Sequence, residues 1–420
     1  MRIKKKYIWL SILLPGLFIG DILYGGLVYY NISIPINPGI ILRGAVFLCS
    51  LNMILHHHYF LDGKFKAALL FISLSVVPSI VVGGFSGYNL YTDLIGLSKA
   101  LYLPYVAALF IIVARRYEIK TDEILQLVEI TVYLIGISML VSRLLNIRHL
   151  TYGTYAFGDT GIFWSQNSMS ITYAIGFLVA VYRLIILRFS IIRSILLLIS
   201  ILACLQIGTR ASLISVLCAA VTIPICYLYS RDQKQSFDIK AKKWSISLFI
   251  TLSLLLAFNH ALSMHQQNRF NQNKLDSLRE SALVRSLLMR AAMDHISNRP
   301  FWLNLTGEGT DGFRRSMAIA WNRSGYDTRM VEVDWLDLFG CYGITFPLLI
   351  HVFLLKILIA LTYRFLKYRI SLYGLFSVAL AIFLIHSALA GHCIVNPIPS
   401  TLVAALFSIY YLEVKQKGRI

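Results

Sequence analysis

Residues 95–114 read IGLSKALYLPYVAALFIIVA and are followed at once by Arg115-Arg116. A run of this length and composition is what a membrane-spanning helix needs, because a hydrocarbon layer of ~30 Å is crossed at about 1.5 Å per residue. Two arginines at its end mark the cytoplasmic side, where Lys and Arg accumulate. Working outward, eleven further apolar segments lie at about 7–30, 39–55, 67–84, 123–145, 162–182, 191–208, 211–229, 245–263, 336–360, 371–391 and 397–412. The whole chain of 420 residues is 57% hydrophobic and only 14% charged, with a mean hydropathy of +0.69. A soluble globular protein carries about 25% charged residues. The shortfall excludes a soluble enzyme, a DNA-binding module and a disordered scaffold. The expected fold is all-α: a polytopic integral membrane protein of about twelve transmembrane helices. Its parts are nine helices in 1–263, a hydrophilic loop at 264–335, and three helices with a short tail in 336–420.

The start, Met-Arg-Ile-Lys-Lys-Lys before an apolar run, fits either a signal peptide or an uncleaved first helix. The second is expected, because no A-x-A-like site precedes a soluble mature domain. With the N-terminus in the cytoplasm, every short inner connection carries at least two positive charges, and both termini lie inside. The inner side then holds 10 Arg and 14 Lys, and the outer side 13 Arg and 2 Lys. Topology accepts either cation, so the switch to arginine points to what a guanidinium alone does, which is to grip phosphate or carboxylate bidentately. The formal net charge of +19 therefore reports topology and an anionic ligand, with no call for nucleic acid. Acidic residues in the loop absorb part of the excess.

Within the loop, 276–297 reads as an amphipathic helix that Asn298-Arg299-Pro300 terminates, since the residue before proline leaves the α region. Gly307-Glu308-Gly309 is a turn, and 310–321 fits a second short helix. Arg210, in Gly208-Thr209-Arg210-Ala211, is either a snorkelling interfacial arginine or an anion ligand. Arg285 and Arg290 are either solvated helix charges or a substrate ligand beside a carboxylate partner. Glu332, Asp334 and Asp337 straddle the start of the tenth segment. They either complement a helix dipole or supply a general base. Asp337 is the deepest, and an ionisable group inside a span is a functional candidate. His392 closes the eleventh segment, where a lone interfacial histidine is usually structural. His56, His57 and His58 lack metal-ligand partners, and the six cysteines, with no C-x-x-C pair, read as small buried hydrophobes. A nucleotide-sugar domain, a D-x-D pair, a Walker A sequence and H-E-x-x-H are all missing, so no metal and no cofactor is expected. The activated substrate would arrive already carried on lipid.

These residues resemble the O-antigen polymerase and O-antigen ligase superfamily of bacterial envelope proteins. Gly161-Ile-Phe-Trp-Ser-Gln-Asn167 is similar to its glycine–aromatic…Pro-Asn signature, with Gln166 in place of proline. Gly208-Thr209-Arg210-Ala211 is similar to its Thr-x-Arg or Ser-Arg turn, whose arginine matches Arg210. Arg285, Met289, Ala292, Ile296, Pro300, Gly307 and Gly309 follow its loop pattern R…W…A…I…P…G-x-G, with Met289 where tryptophan is common. Glu332-Val-Asp334-Trp-Leu-Asp-Leu-Phe-Gly340 resembles the H-N-x-x-L…G block, with Glu332 where ligases carry a histidine. The acidic variant resembles the polymerases. The resemblance implies a GT-C-like enzyme of the bacterial inner membrane with a periplasmic loop. Its donor would be a glycan on undecaprenyl pyrophosphate, the acceptor a second lipid-linked repeat unit, and a chain-length regulator protein an accessory partner. It assigns Arg210 and Arg285 to the donor diphosphate with Arg290 in support, and Glu332, Asp334 or the weaker His392 to proton transfer. The rivals are the ligase and, from another class, a flippase for lipid-linked sugars. A flippase should carry ionisable residues within several spans, and the midspan stretches read as largely clean.

Overall fold

The computed structural model describes residues 2–33, 37–150, 158–163, 166–187, 190–207, 210–230, 286–320, 330–391 and 393–417. Those residues are almost entirely helical, and their only β feature is an isolated bridge between Leu150 and Asp159. Among the described residues, eight helices are long and apolar enough to cross a membrane: Lys6–Tyr29, Pro38–Phe60, Gly63–Phe85, Leu90–Arg116, Thr121–Leu144, Ser168–Ile186, Thr345–Tyr368 and Ser371–Leu389. Two shorter apolar helices, Ile191–Gln206 and Ile214–Cys226, follow the sixth. The expected ninth segment, 245–263, lies outside the described residues.

Burial separates the bundle into a centre and a rim. Ser168–Ile186 is 94% buried and Leu90–Arg116 is 78% buried, against 28% for Pro38–Phe60. The last helix, Pro397–Lys417, packs against both central helices and buries Leu402, Ala404, Ala405 and Ile409. It also buries Ser400, Thr401 and Ser408, whose hydroxyls all bond to backbone carbonyls or to neighbouring hydroxyls. A helix surrounded by protein tolerates such residues because their polar groups find partners.

The first span is continuous through Pro15 because the chain opens into a π turn at Ile12–Gly16. A proline supplies no N–H and clashes with the preceding turn, and a wider turn relieves both.

Contacts sort the helix ends into two chemically different faces. At one, Lys6 pairs with Glu123, Thr121 donates to Glu413 and Tyr411 receives the Asp62 amide. At the other, Tyr29 donates to the Asn146 carbonyl and the amide of Asn89 donates to Asp311 of the loop. Successive long helices alternate between these faces, as the basic connections require.

Two expectations need correction. The stretch 336–360 is not one helix: Asp334–Tyr342 ends at Gly343, and Thr345–Tyr368 begins a new axis. Gly343 has φ +71, and a Cβ there would sit 2.1 Å from the Leu305 carbonyl oxygen, so the bend and the close approach both require glycine. Asp337 therefore lies on a short helix in front of the span, not inside it. The spans are also less clean than their hydropathy suggests. Asp21 and Arg43 pair between the first two helices, and Arg183 bonds Glu129 and Asp122. Such charges stay buried because a partner on a neighbouring helix neutralises them.

Candidate functional site

The described part of the loop is a scaffold locked onto the bundle. A helix over 286–298 ends ahead of Pro300, and Phe301–Thr306 and Gly309–Ala320 follow. Its hub is Glu308, which is 3% exposed. The carboxylate accepts from His295 at 2.7 Å, from Arg299 at 2.8 Å and from Ser316 at 3.0 Å. Burial pushes this carboxyl up, but the bonds from His295 and Arg299 outweigh it and hold the group below its ordinary value. Arg299 spends its remaining donors on Asn304 and the carbonyls of Phe339 and Gly340. It is a structural arginine. Asp93, near the start of Leu90–Arg116, receives the Asp311 amide at 2.8 Å and so anchors the beginning of Gly309–Ala320.

This scaffold roofs a cavity of about 340 Å³ at the end of the bundle opposite the basic face. Lys99 reaches it from Leu90–Arg116, Arg314 from Gly309–Ala320, Asp337 from Asp334–Tyr342, and Asn396 from the turn before Pro397. Neither Lys99 nor Arg314 has an ion pair or hydrogen bond among the described residues, and the buried Nε of Arg314 is without a partner. Both cations line this one cavity. Facing them, Asp337 accepts the amides of Val331 at 2.8 Å and Glu332 at 3.2 Å. Cys341 also lines the cavity, and burial pushes its thiol well up, so it stands as a neutral thiol. Two cations with no ion pair among the described residues, against one carboxylate in the same cavity, leave a net positive site for an anion.

No protein-family profile matches the chain, and no curated protein does.

A second cavity, of about 330 Å³, lies between the first, second and fourth long helices. It shares Ile95, Lys99, Asn396 and Pro397 with the first, so Lys99 stands in the common wall. Among the described residues, no three His, Cys, Asp or Glu side chains gather as a metal-ligand set.

Of the residues singled out from sequence, Asp337 lines the loop cavity. Arg285 and His392 lie outside the described residues, as does the side chain of Arg210, whose backbone opens Arg210–Tyr229. Arg290 is exposed on the 286–298 helix and lines neither cavity. Glu332 sits at φ +66 in the bend before Asp334–Tyr342, its carbonyl against Gly391. Asp334 is fully buried, and one of its oxygens accepts from Ser387 at 2.7 Å and from the Cys393 and Ile394 amides at 2.9 Å. It fastens the short helix to the turn that carries Asn396. Sequence reasoning passed over Lys99 and Arg314. Lys99 was detectable as the ionisable residue inside the apolar stretch 95–114. Arg314 carries no such mark, since it is one of ten arginines and lysines in 264–335.

Proposed function

We propose that the chain is a membrane glycosyltransferase of the O-antigen polymerase type, joining lipid-linked repeat units at the periplasmic face of the bacterial inner membrane. The observation that carries this reading is the pair of cations, Lys99 and Arg314, which have no ion pair among the described residues and line one cavity with Asp337. The donor is a glycan on undecaprenyl pyrophosphate. An acceptor hydroxyl attacks its anomeric carbon, the bond from that carbon to the diphosphate oxygen breaks, and the electron pair leaves on the diphosphate. Lys99 and Arg314 meet the charge that develops there, in a site they already occupy before reaction, which costs no reorganisation. The resemblance adds Arg210 and Arg285 as ligands of the donor diphosphate. Asp337 takes the hydroxyl proton, since it is the carboxylate that lines the cavity, with Glu332 and His392 as the alternatives that the resemblance suggests. Both termini are assigned to the cytoplasm from the basic connections.

The test is gel analysis of lipopolysaccharide from a deletion strain. A single repeat unit on the core supports a polymerase, core without any repeat indicates a ligase, and an unchanged ladder overturns both. A second reading, a flippase for the same lipids, gains from the ion pairs Asp21–Arg43 and Glu129–Arg183 within the bundle. Glycosyl transfer by purified protein in vesicles, as against lipid movement without turnover, separates the two.

A further inference from the structure

A transferase needs two sites, and among the described residues two cavities of nearly equal size share one lysine. Their chemistry differs. The loop cavity offers two cations without counter-charge. In the second cavity the charge of Arg43 is already spent on Asp21, through one bond of 2.7 Å and a second, parallel bond that completes a bidentate pair. What that cavity has left is neutral hydrogen-bonding capacity. Arg43 is 7% exposed, and its Nε has no partner among the described residues. A buried donor left unmet is costly, and a ligand acceptor would relieve that cost. The Tyr24 hydroxyl is likewise without a partner among the described residues, and Asn37, whose Oδ1 caps the second helix through the Gly39 amide, keeps its amide N–H groups. Phe47 and Phe163 supply flat apolar walls. Hydrogen-bond donors and aromatic rings lining one cavity match a sugar ring, which presents hydroxyls at its edge and C–H groups on its face. A diphosphate would find no free charge here apart from Lys99.

Resting on the transferase reading, we propose that the cavity lined by Tyr24, Asn37 and Arg43 is the acceptor subsite, where the sugar that receives the growing glycan binds. Lys99 in the common wall places the attacked carbon and the departing diphosphate beside the boundary between the subsites. The Arg43–Asp21 pair holds the second helix to the first and fixes the direction of the Nε donor.

Three variants test the assignment. A Cβ added at Gly44 meets nothing within 4 Å, so Gly44→Trp fills the cavity from its wall. Tyr24→Phe removes only the hydroxyl, and Asn37→Asp keeps the helix cap while removing the amide donor. Each is expressed in the deletion strain and scored on the lipopolysaccharide ladder. Each purified protein is then titrated with inorganic pyrophosphate by thermal shift. The expected result is a single-repeat product from Gly44→Trp and at least a tenfold loss of polymer from Tyr24→Phe combined with Asn37→Asp, with pyrophosphate binding unchanged in both. A normal ladder from Gly44→Trp overturns the subsite. A ladder lost in Gly44→Trp but normal in the polar double variant also overturns it, by making the occupant a lipid chain. Wild-type protein that does not bind pyrophosphate, or a deletion strain with an unchanged ladder, strikes the transferase reading itself.

Discussion

The two ends of the bundle treat buried positive charge in opposite ways. At the basic face, Arg183 is 2% exposed and bonds Glu129 at 2.7 Å, together with the carboxylate and carbonyl of Asp122. Arg193 lies 3.8 Å from the same Glu129. At the other face, Lys99 and Arg314 share a cavity wall with no anion bound to either among the described residues. A matched charge stabilises the packing of two helices and has nothing left to offer. An unmatched pair destabilises the empty site and gains most when an anion enters, which is what a ligand site requires. Arg299 shows that the loop can satisfy an arginine completely, so the unmatched state of Arg314 is not a general property of that region.

The largest effect should come from breaking a matched pair. Arg183→Met leaves the buried Glu129 carboxylate with the neutral Tyr133 hydroxyl at 2.8 Å and the more distant Arg193, and should cost about 3–5 kcal/mol. Thermal unfolding in detergent and membrane yield would both fall. Adding Glu129→Gln should recover a good part of the loss, and no recovery would mean the pair is not the source. Lys99→Gln and Arg314→Gln should do the reverse. Polymer synthesis should fall about 10²–10³-fold, the scale of losing one transition-state donor. The unfolding temperature of the empty protein should hold or rise, because two like charges are relieved. A large drop in stability from either would place these cations with the matched class.

Three carboxylates near the loop's return sharpen the same contrast. Asp334→Asn turns one acceptor toward two backbone amides and a hydroxyl, and should cost about 1–3 kcal/mol of stability. Asp337→Asn should abolish polymer and, because each carboxylate oxygen accepts a backbone amide, should cost a similar amount of stability. Glu332→Gln should change the ladder less than about twofold, in line with an effect no larger than an ordinary surface substitution. A ladder lost in Glu332→Gln and kept in Asp337→Asn would return proton transfer to Glu332.

The smallest effect concerns acid. The Glu308 carboxyl is held below its ordinary value, so it binds fewer protons folded than unfolded, and its contribution is present above the unfolded value of about 4.3. That contribution is lost as pH falls through the lower folded value. Unfolding temperatures of wild type and Glu308→Gln should therefore differ at neutral pH and converge below about pH 4. Parallel curves across that range would show that Glu308 is not the loop's hub.

Several features were legible along the chain because they depend on neighbours in sequence. Hydropathy marked the long helices, charge sorted their ends, and Pro300 stopped the helix before it. The expected turn at Gly307-Glu308-Gly309 and the helix after it match the observed left-handed glycines and Gly309–Ala320. The break at Gly343 did not show, because apolar residues continue on both sides. The steric demand comes from Leu305, some forty positions earlier. Nor could sequence separate Asp334 from Asp337. They are three apart on one short helix, yet one faces the Cys393–Ile394 amides and the other a cavity. Periodicity and composition report what a segment prefers against a uniform surrounding. Whether a charge is matched depends on which distant side chains share its space, and residues 99, 314, 337 and 396 meet only when the helices pack.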